Sequence, residues 1–142
     1  LAGATVSLLI DGNDAGPMVW ASGLNTLPYA GARVHLGLPY VSYMQTLSIA
    51  AEPAAYSKKK AIQNVTLWLN ETRGIEVGPR KDGNFDNLKP RDQEDWNEPT
   101  RPKTGLNEAL IDSEMHVQGS FVVRQRTPLP MEINSVIPVF KI

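Results

Sequence analysis

Two histidines, His35 and His116, are the only imidazoles in the chain, and cysteine is absent. Thiolate zinc sites, cysteine nucleophiles and disulfide scaffolds are therefore excluded by residue type. A histidine metal site would need both imidazoles and carboxylates gathered by the fold, and their wide spacing predicts no such gathering. Asp11-Gly12-Asn13-Asp14 opens like a calcium-binding loop, but the twelfth loop position, where a bidentate Glu belongs, holds Ser22. The same residues make a good turn, and we read them so. Asp92-Gln93-Glu94-Asp95 with Glu98 could do acid–base work if two carboxylates were buried ~5–10 Å apart. In a Pro-rich polar stretch they read as solvated. Ser7, Ser22, Ser42, Ser48, Ser57, Ser113, Ser120 and Ser135 sit in no nucleophile-elbow context, and no glycine cluster forms a phosphate loop. The sequence therefore assigns no catalytic, cofactor-binding or metal residue, and no cofactor.

The remaining chemistry-bearing groups suit contacts better than turnover. Trp20, Trp68, Trp96 and the tyrosines could stack on sugars, but without order along one strand they read as core or interface residues. Lys58-Lys59-Lys60 reads as a solvated loop between strands rather than a phosphate or lipid contact. Asn64-Val65-Thr66 and Asn70-Glu71-Thr72 match the glycosylation sequon, which we take as chance in an Asn- and Thr-bearing strand.

At 142 residues the chain fits one domain, with 42% hydrophobic and 20% charged residues. A chain of this size buries roughly 68–70% of its unfolded surface, enough for a core without staples. A net charge of −1 gives no electrostatic footprint for wrapping nucleic acid. No apolar run approaches the ~18 residues of a membrane helix. The first residues, Leu1-Ala2-Gly3-Ala4-Thr5-Val6, lack the charged and apolar regions of a signal peptide, and the sequence reads as a piece of a longer chain.

The elements that must position these residues are short strands. Thr5-Val6-Ser7-Leu8-Leu9-Ile10 is β-rich and runs into turn residues 11–17; Met18-Val19-Trp20-Ala21 is a second short strand. Arg33 to Gly37 alternates, with Val34 and Leu36 on one face. Residues 41–49 carry another strand signal, followed by the small-residue, Pro-bearing stretch 50–56. The strongest periodicity lies at Gln63-Val65-Leu67-Leu69 against Asn64-Thr66-Trp68-Asn70, which predicts a half-buried antiparallel strand. Glu71-Thr72-Arg73-Gly74 turns the chain, and residues 75–79 read as a short return strand. Residues 80–103 are dense in charge and proline, with isolated Phe85, Leu88 and Trp96. A structureless connection this long is uncommon inside a compact domain, so 80–105 reads as a polar excursion or an arm reaching a neighbouring subunit. Residues 109–111 and 115–117 are short strand candidates. Residues 121–126 and 131–140 are stronger ones, the last with Pro138 on an edge or at the strand end. The fold class is all-β: an antiparallel sandwich or barrel of short strands with one long polar loop, a single β-rich domain over 1–142.

With the segments placed, their order resembles a known family. Leu1 to Gly12 is similar to the L-x-G-x-T-V-x-V-x-x-D-G segment of phage tail structural proteins, with Leu8 at the second Val. Val19, Gly23, Leu27-Pro28 and Val34-His35-Leu36-Gly37-Leu38-Pro39-Tyr40 follow. Then come Thr46-Leu47, the lysine-rich linker, Val65-Thr66-Leu67, Thr72-Arg73-Gly74 and Val77-Gly78-Pro79. Val123-Arg124-Gln125, Pro128-Leu129-Pro130-Met131 and Ile137-Pro138 complete the series. This order resembles the C-terminal part of podovirus-type tail tubular (nozzle) proteins over nearly the whole chain. It departs between Arg80 and Gln118, where glycines and an aromatic are expected and Glu108 to Val117 stand instead.

The resemblance implies a non-enzymatic structural part of a virion, made in the bacterial cytoplasm. It implies a homo-oligomeric ring, a hexamer, in contact with other tail proteins, through which DNA passes without specific binding and with no membrane contact. Trp68, Phe85 and Trp96 are the residues expected at subunit contacts. The alternative function is a β-sandwich module of a phage tail or adhesin that binds a carbohydrate or receptor. A carboxylate-dependent glycan hydrolase would need a buried acidic pair, to which the sequence does not point.

Overall fold

The computed structural model describes residues 1–48, 57–89, 94–95, 98, 100–112, 115–117 and 119–141, and among them there is no helix. The strands are β1 (Thr5–Ile10), β2 (Asn13–Val19), β3 (Val34–Gly37), β4 (Ser42–Gln45), β5 (Lys60–Thr72), β6 (Glu76–Gly78), β7 (Asp86–Asn87), β8 (Lys103–Leu110), β9 (Met115–His116), β10 (Val122–Gln125) and β11 (Ile133–Lys141). They form three antiparallel sheets, ordered β2-β1-β3, β4-β10-β6-β7 and β11-β5-β8, with β9 also paired to β5. The chain is all-β, as its alternating segments predict.

The first sheet begins with a hairpin. Asp11 and Gly12 both take positive φ, 50° and 83°, the backbone of a two-residue turn whose twist matches antiparallel strands. The sequence reading placed a turn across 11–17 and a strand only from Met18. In fact the turn is complete in two residues, and β2 starts at Asn13. A register shift opposite Leu8 and Leu9 absorbs the extra residue Ala15. Pro17 is tolerated because β2 is an edge strand, where a missing N–H costs no ladder bond. Val6, Leu8 and Ile10 on the central strand are fully buried.

The other two sheets share one core. Val65, Leu67 and Leu69 of β5 and Ala109 of β8 meet Val77 of β6, Val123 of β10, and Ile75 and Phe121 beside them. Ile133, Val136 and Phe140 along β11 close the edge of this cluster. The alternation read from 63–70 is thus the core stripe of the central strand, with one irregularity. Near Gln63 the β5–β11 register shifts, so Ile62 also turns inward.

Past Leu69 the sequence reading expected a turn and a return strand. The structure instead continues β5 to Thr72 through a register shift, with Glu71 at φ 41°. The chain then crosses to the other sheet, where β6 pairs with β10 and β7 rather than with β5. Thr72, fully buried, holds this corner: its hydroxyl donates toward the Glu132 carbonyl and accepts from the Glu132 N–H, each at 2.8 Å.

Two more readings are corrected. Lys60 is not in a solvated loop: it opens β5, is buried, and its Nζ donates to the Val117 carbonyl at 2.9 Å. Its four-carbon stem fills apolar space while the ammonium finds a carbonyl. The polar stretch 80–105 also contains sheet, since Asp86–Asn87 pairs with β6 and β8 begins at Lys103.

Candidate assembly interface

Strand register decides which side chains share the outer face of the β5 sheet. Trp68 sits between Ser135 and Leu106, Thr66 between Ile137 and Glu108, and Asn64 between Val139 and Leu110. These residues alternate with the buried Val65, Leu67 and Leu69, so they point away from the shared core. Five of them are large and apolar. Their exposures are 51% for Trp68, 66% for Leu106, 69% for Leu110, 50% for Ile137 and 47% for Val139. Together they leave on the order of 600 Å² accessible, the top of the range for the largest apolar patch of ordinary monomers. Polar side chains interrupt it at Ser135, Thr66, Asn64 and Glu108, and the Asn64 side-chain amide donates to Glu108 Oε1.

The area of this face, rather than an energy built from it, is what suits association, since buried area does not convert directly into affinity. The patch also approaches the ~800 Å² per side of a standard interface.

The opposite outer face, on the β10 sheet, is built differently. Glu76 lies across from Arg124, and Arg124 across from Tyr43. Glu76 bonds both Arg124 and Arg126. Burial alone would raise the Glu76 pKa, but the bonds from Arg126 and Arg124 outweigh it and hold the carboxyl below its ordinary range. The Phe85 ring lies 3.5 Å from the Arg124 guanidinium, and Lys81 Nζ stands 5.0 Å from the Tyr43 ring.

Of the three residues expected at subunit contacts, Trp68 lies on the exposed apolar face, on its central strand. Phe85 is half-buried and stacked within its own chain on Arg124. Trp96 lies outside the described residues. Sequence reading missed Leu106, Leu110, Ile137 and Val139. Leu106-Asn107-Glu108-Ala109-Leu110 carries no apolar period of two, because charged Glu108 shares the face of Leu106 and Leu110, so the segment itself gave no signal for the strand.

The residues considered for chemistry are placed elsewhere. Both carboxylate oxygens of Asp11 accept backbone N–H groups, from Ala32 at 3.0 Å and Arg33 at 2.8 Å. Those two bonds hold its pKa below the usual value. It pins the β1–β2 turn to the start of β3. Asp14 Oδ1 accepts the Gly16 N–H at 3.1 Å. Among the described residues no three His, Asp or Glu side chains gather as a metal site, and no helix is long and apolar enough to cross a membrane. The sequon residues Asn64 and Asn70 lie within β5, and Asn70 Nδ2 donates to Glu132 Oε2 at 2.9 Å. Neither the family models nor the curated proteins searched yield a match to this chain.

Proposed function

We propose that this chain is a structural assembly module whose outer β5-sheet face packs against another subunit. The carrying observation is the exposed apolar face that Trp68 shares with Leu106, Leu110, Ile137 and Val139. In keeping with the order of its sequence motifs, we place the module in a bacteriophage tail tube or nozzle ring, a non-enzymatic part of the virion that lines the DNA-ejection channel. A closed ring needs a repeated contact whose rotation closes, and a near-neutral chain does not hold passing DNA tightly.

Native mass spectrometry and sedimentation velocity test the reading. The wild-type protein should form a discrete oligomer, and Leu106→Asp or Trp68→Ser should dissociate it while leaving the circular dichroism spectrum unchanged. Averaged electron micrographs of the oligomer should show rotational symmetry. A wild type that stays monomeric at high concentration, or an oligomer indifferent to both substitutions, would refute it. An exposed indole on a sheet face also suits sugar stacking, so glycan binding lost in Trp68→Ala would favour the receptor-binding alternative.

A further inference from the structure

A second apolar surface lies apart from the β5-sheet face. Register places Ser7 beside Gly37 and Leu9 beside His35, on the side of the first sheet away from Val6, Leu8 and Ile10. Opposite them stand residues 125–128, the end of β10 and the turn after it. The connection 38–41 runs between the two walls, joining edge strand β3 to edge strand β4. They enclose a cleft of about 230 Å³. Leu9, Leu36, Leu38, Tyr40 and Pro128 give it apolar walls, and Leu38 and Tyr40 are exposed.

Charge and size narrow the occupant. Among the described residues, the ionisable lining groups other than Tyr40 are His35 and Arg126, and no carboxylate lines the cleft. Among the described residues, Arg126 shares Glu76 as counter-ion with Arg124. Two guanidiniums on one carboxylate leave a surplus positive charge at this wall. The volume falls below the ~300–1,000 Å³ of small-molecule pockets but admits one large side chain. On either side, β3 and β4 are edge strands with no further strand beyond them among the described residues. Such edges accept an added strand through main-chain bonds, while a pocket beside them reads alternate side chains.

We infer that this cleft docks an extended segment of a partner protein, with an aliphatic or aromatic side chain seated between Leu9 and Pro128 and a neighbouring carboxylate against Arg126. This site is independent of the β5-sheet face. It adds a contact with a different protein to the proposed self-association.

An immobilised array of blocked hexapeptides, with apolar and acidic positions varied singly, tests it on the full chain. Binding should concentrate on peptides that pair a large apolar residue with an adjacent Glu or Asp. Changing that Glu to Gln in the peptide should weaken binding about tenfold or more, the range for a lost charge-assisted bond. Arg126→Gln should weaken it similarly, and Ser42→Trp, which fills the cleft, should abolish it. With a labelled hexapeptide free in solution, where oligomer avidity does not enter, each Trp68→Ser subunit should bind as a wild-type subunit does, which separates this site from the assembly face. Circular dichroism and melting curves establish that each variant is folded, and the peptide's own Glu-to-Gln change needs no protein variant. Absence of binding to every peptide would overturn the inference. Binding indifferent to the peptide carboxylate, or loss of free-peptide binding in Trp68→Ser, would do the same. So would Arg126-dependent binding of phenylacetate, a free apolar anion, with no peptide bound.

Discussion

Glu76→Gln separates the electrostatic part of this fold from its packing. Oε2 accepts from Arg124 Nε at 2.6 Å and Nη2 at 2.5 Å, and Oε1 from Arg126 Nε at 3.0 Å and Nη2 at 2.6 Å. Gln keeps the volume and one acceptor oxygen but removes the charge between two cations. Breaking a buried ion pair costs about 3–5 kcal/mol; because Arg126 stays largely in solvent and one acceptor survives, the expected loss at pH 7 is about 2–3 kcal/mol. For a chain of this size that lowers Tm by roughly 5–10 °C. The pH dependence is the sharper test. The folded-state pKa of Glu76 is depressed, so its stabilisation is fully present above the unfolded value of ~4.3 and is lost as pH falls through the lower folded value. Urea unfolding followed by tryptophan fluorescence should show the full gap between wild type and variant at pH 7. The gap should narrow steadily as the pH is taken below ~4.3. An equal gap at both ends of that titration, or none at pH 7, would refute the assignment of the stabilisation to the Glu76 charge.

Three other perturbations report on distinct parts of the structure. Leu67→Ala empties the centre of the shared core and should cost about 2–5 kcal/mol in chemical denaturation, with the all-β circular dichroism retained. Gly74→Ala puts a Cβ at φ 71° against Thr127 Oγ1 and should destabilise by about 1–3 kcal/mol, read as a lowered Tm. Arg73→Gln cuts the bonds from Nη2 to the Gly12 carbonyl at 2.8 Å and from Nη1 to the Thr100 carbonyl at 2.7 Å. Hydrogen exchange should then quicken at the β1–β2 turn while the β5 core amides keep their protection.

Local patterns carried much of this protein. The span of β1, the β5 stripe of Val65, Leu67 and Leu69, the final strand with its edge proline, and the all-β class follow from period-2 alternation, because each strand must present one face to a core. The Asp11-Gly12 step likewise sets its own turn through two positive φ values. Only the tertiary structure decided which strands are neighbours. Residues 75–79 read locally as a return from β5, yet the bulge at Glu71 and the turn at Gly74 send them into the opposite sheet. Lys60 looked solvated until Val117 supplied a carbonyl for its ammonium. The apolar face itself was invisible in one dimension: Trp68, Leu106 and Ile137 come from three strands, and only inter-strand register makes them adjacent. Alternation is a property of a single strand, whereas a surface is a property of several, and no periodicity within one segment encodes the pairing between them.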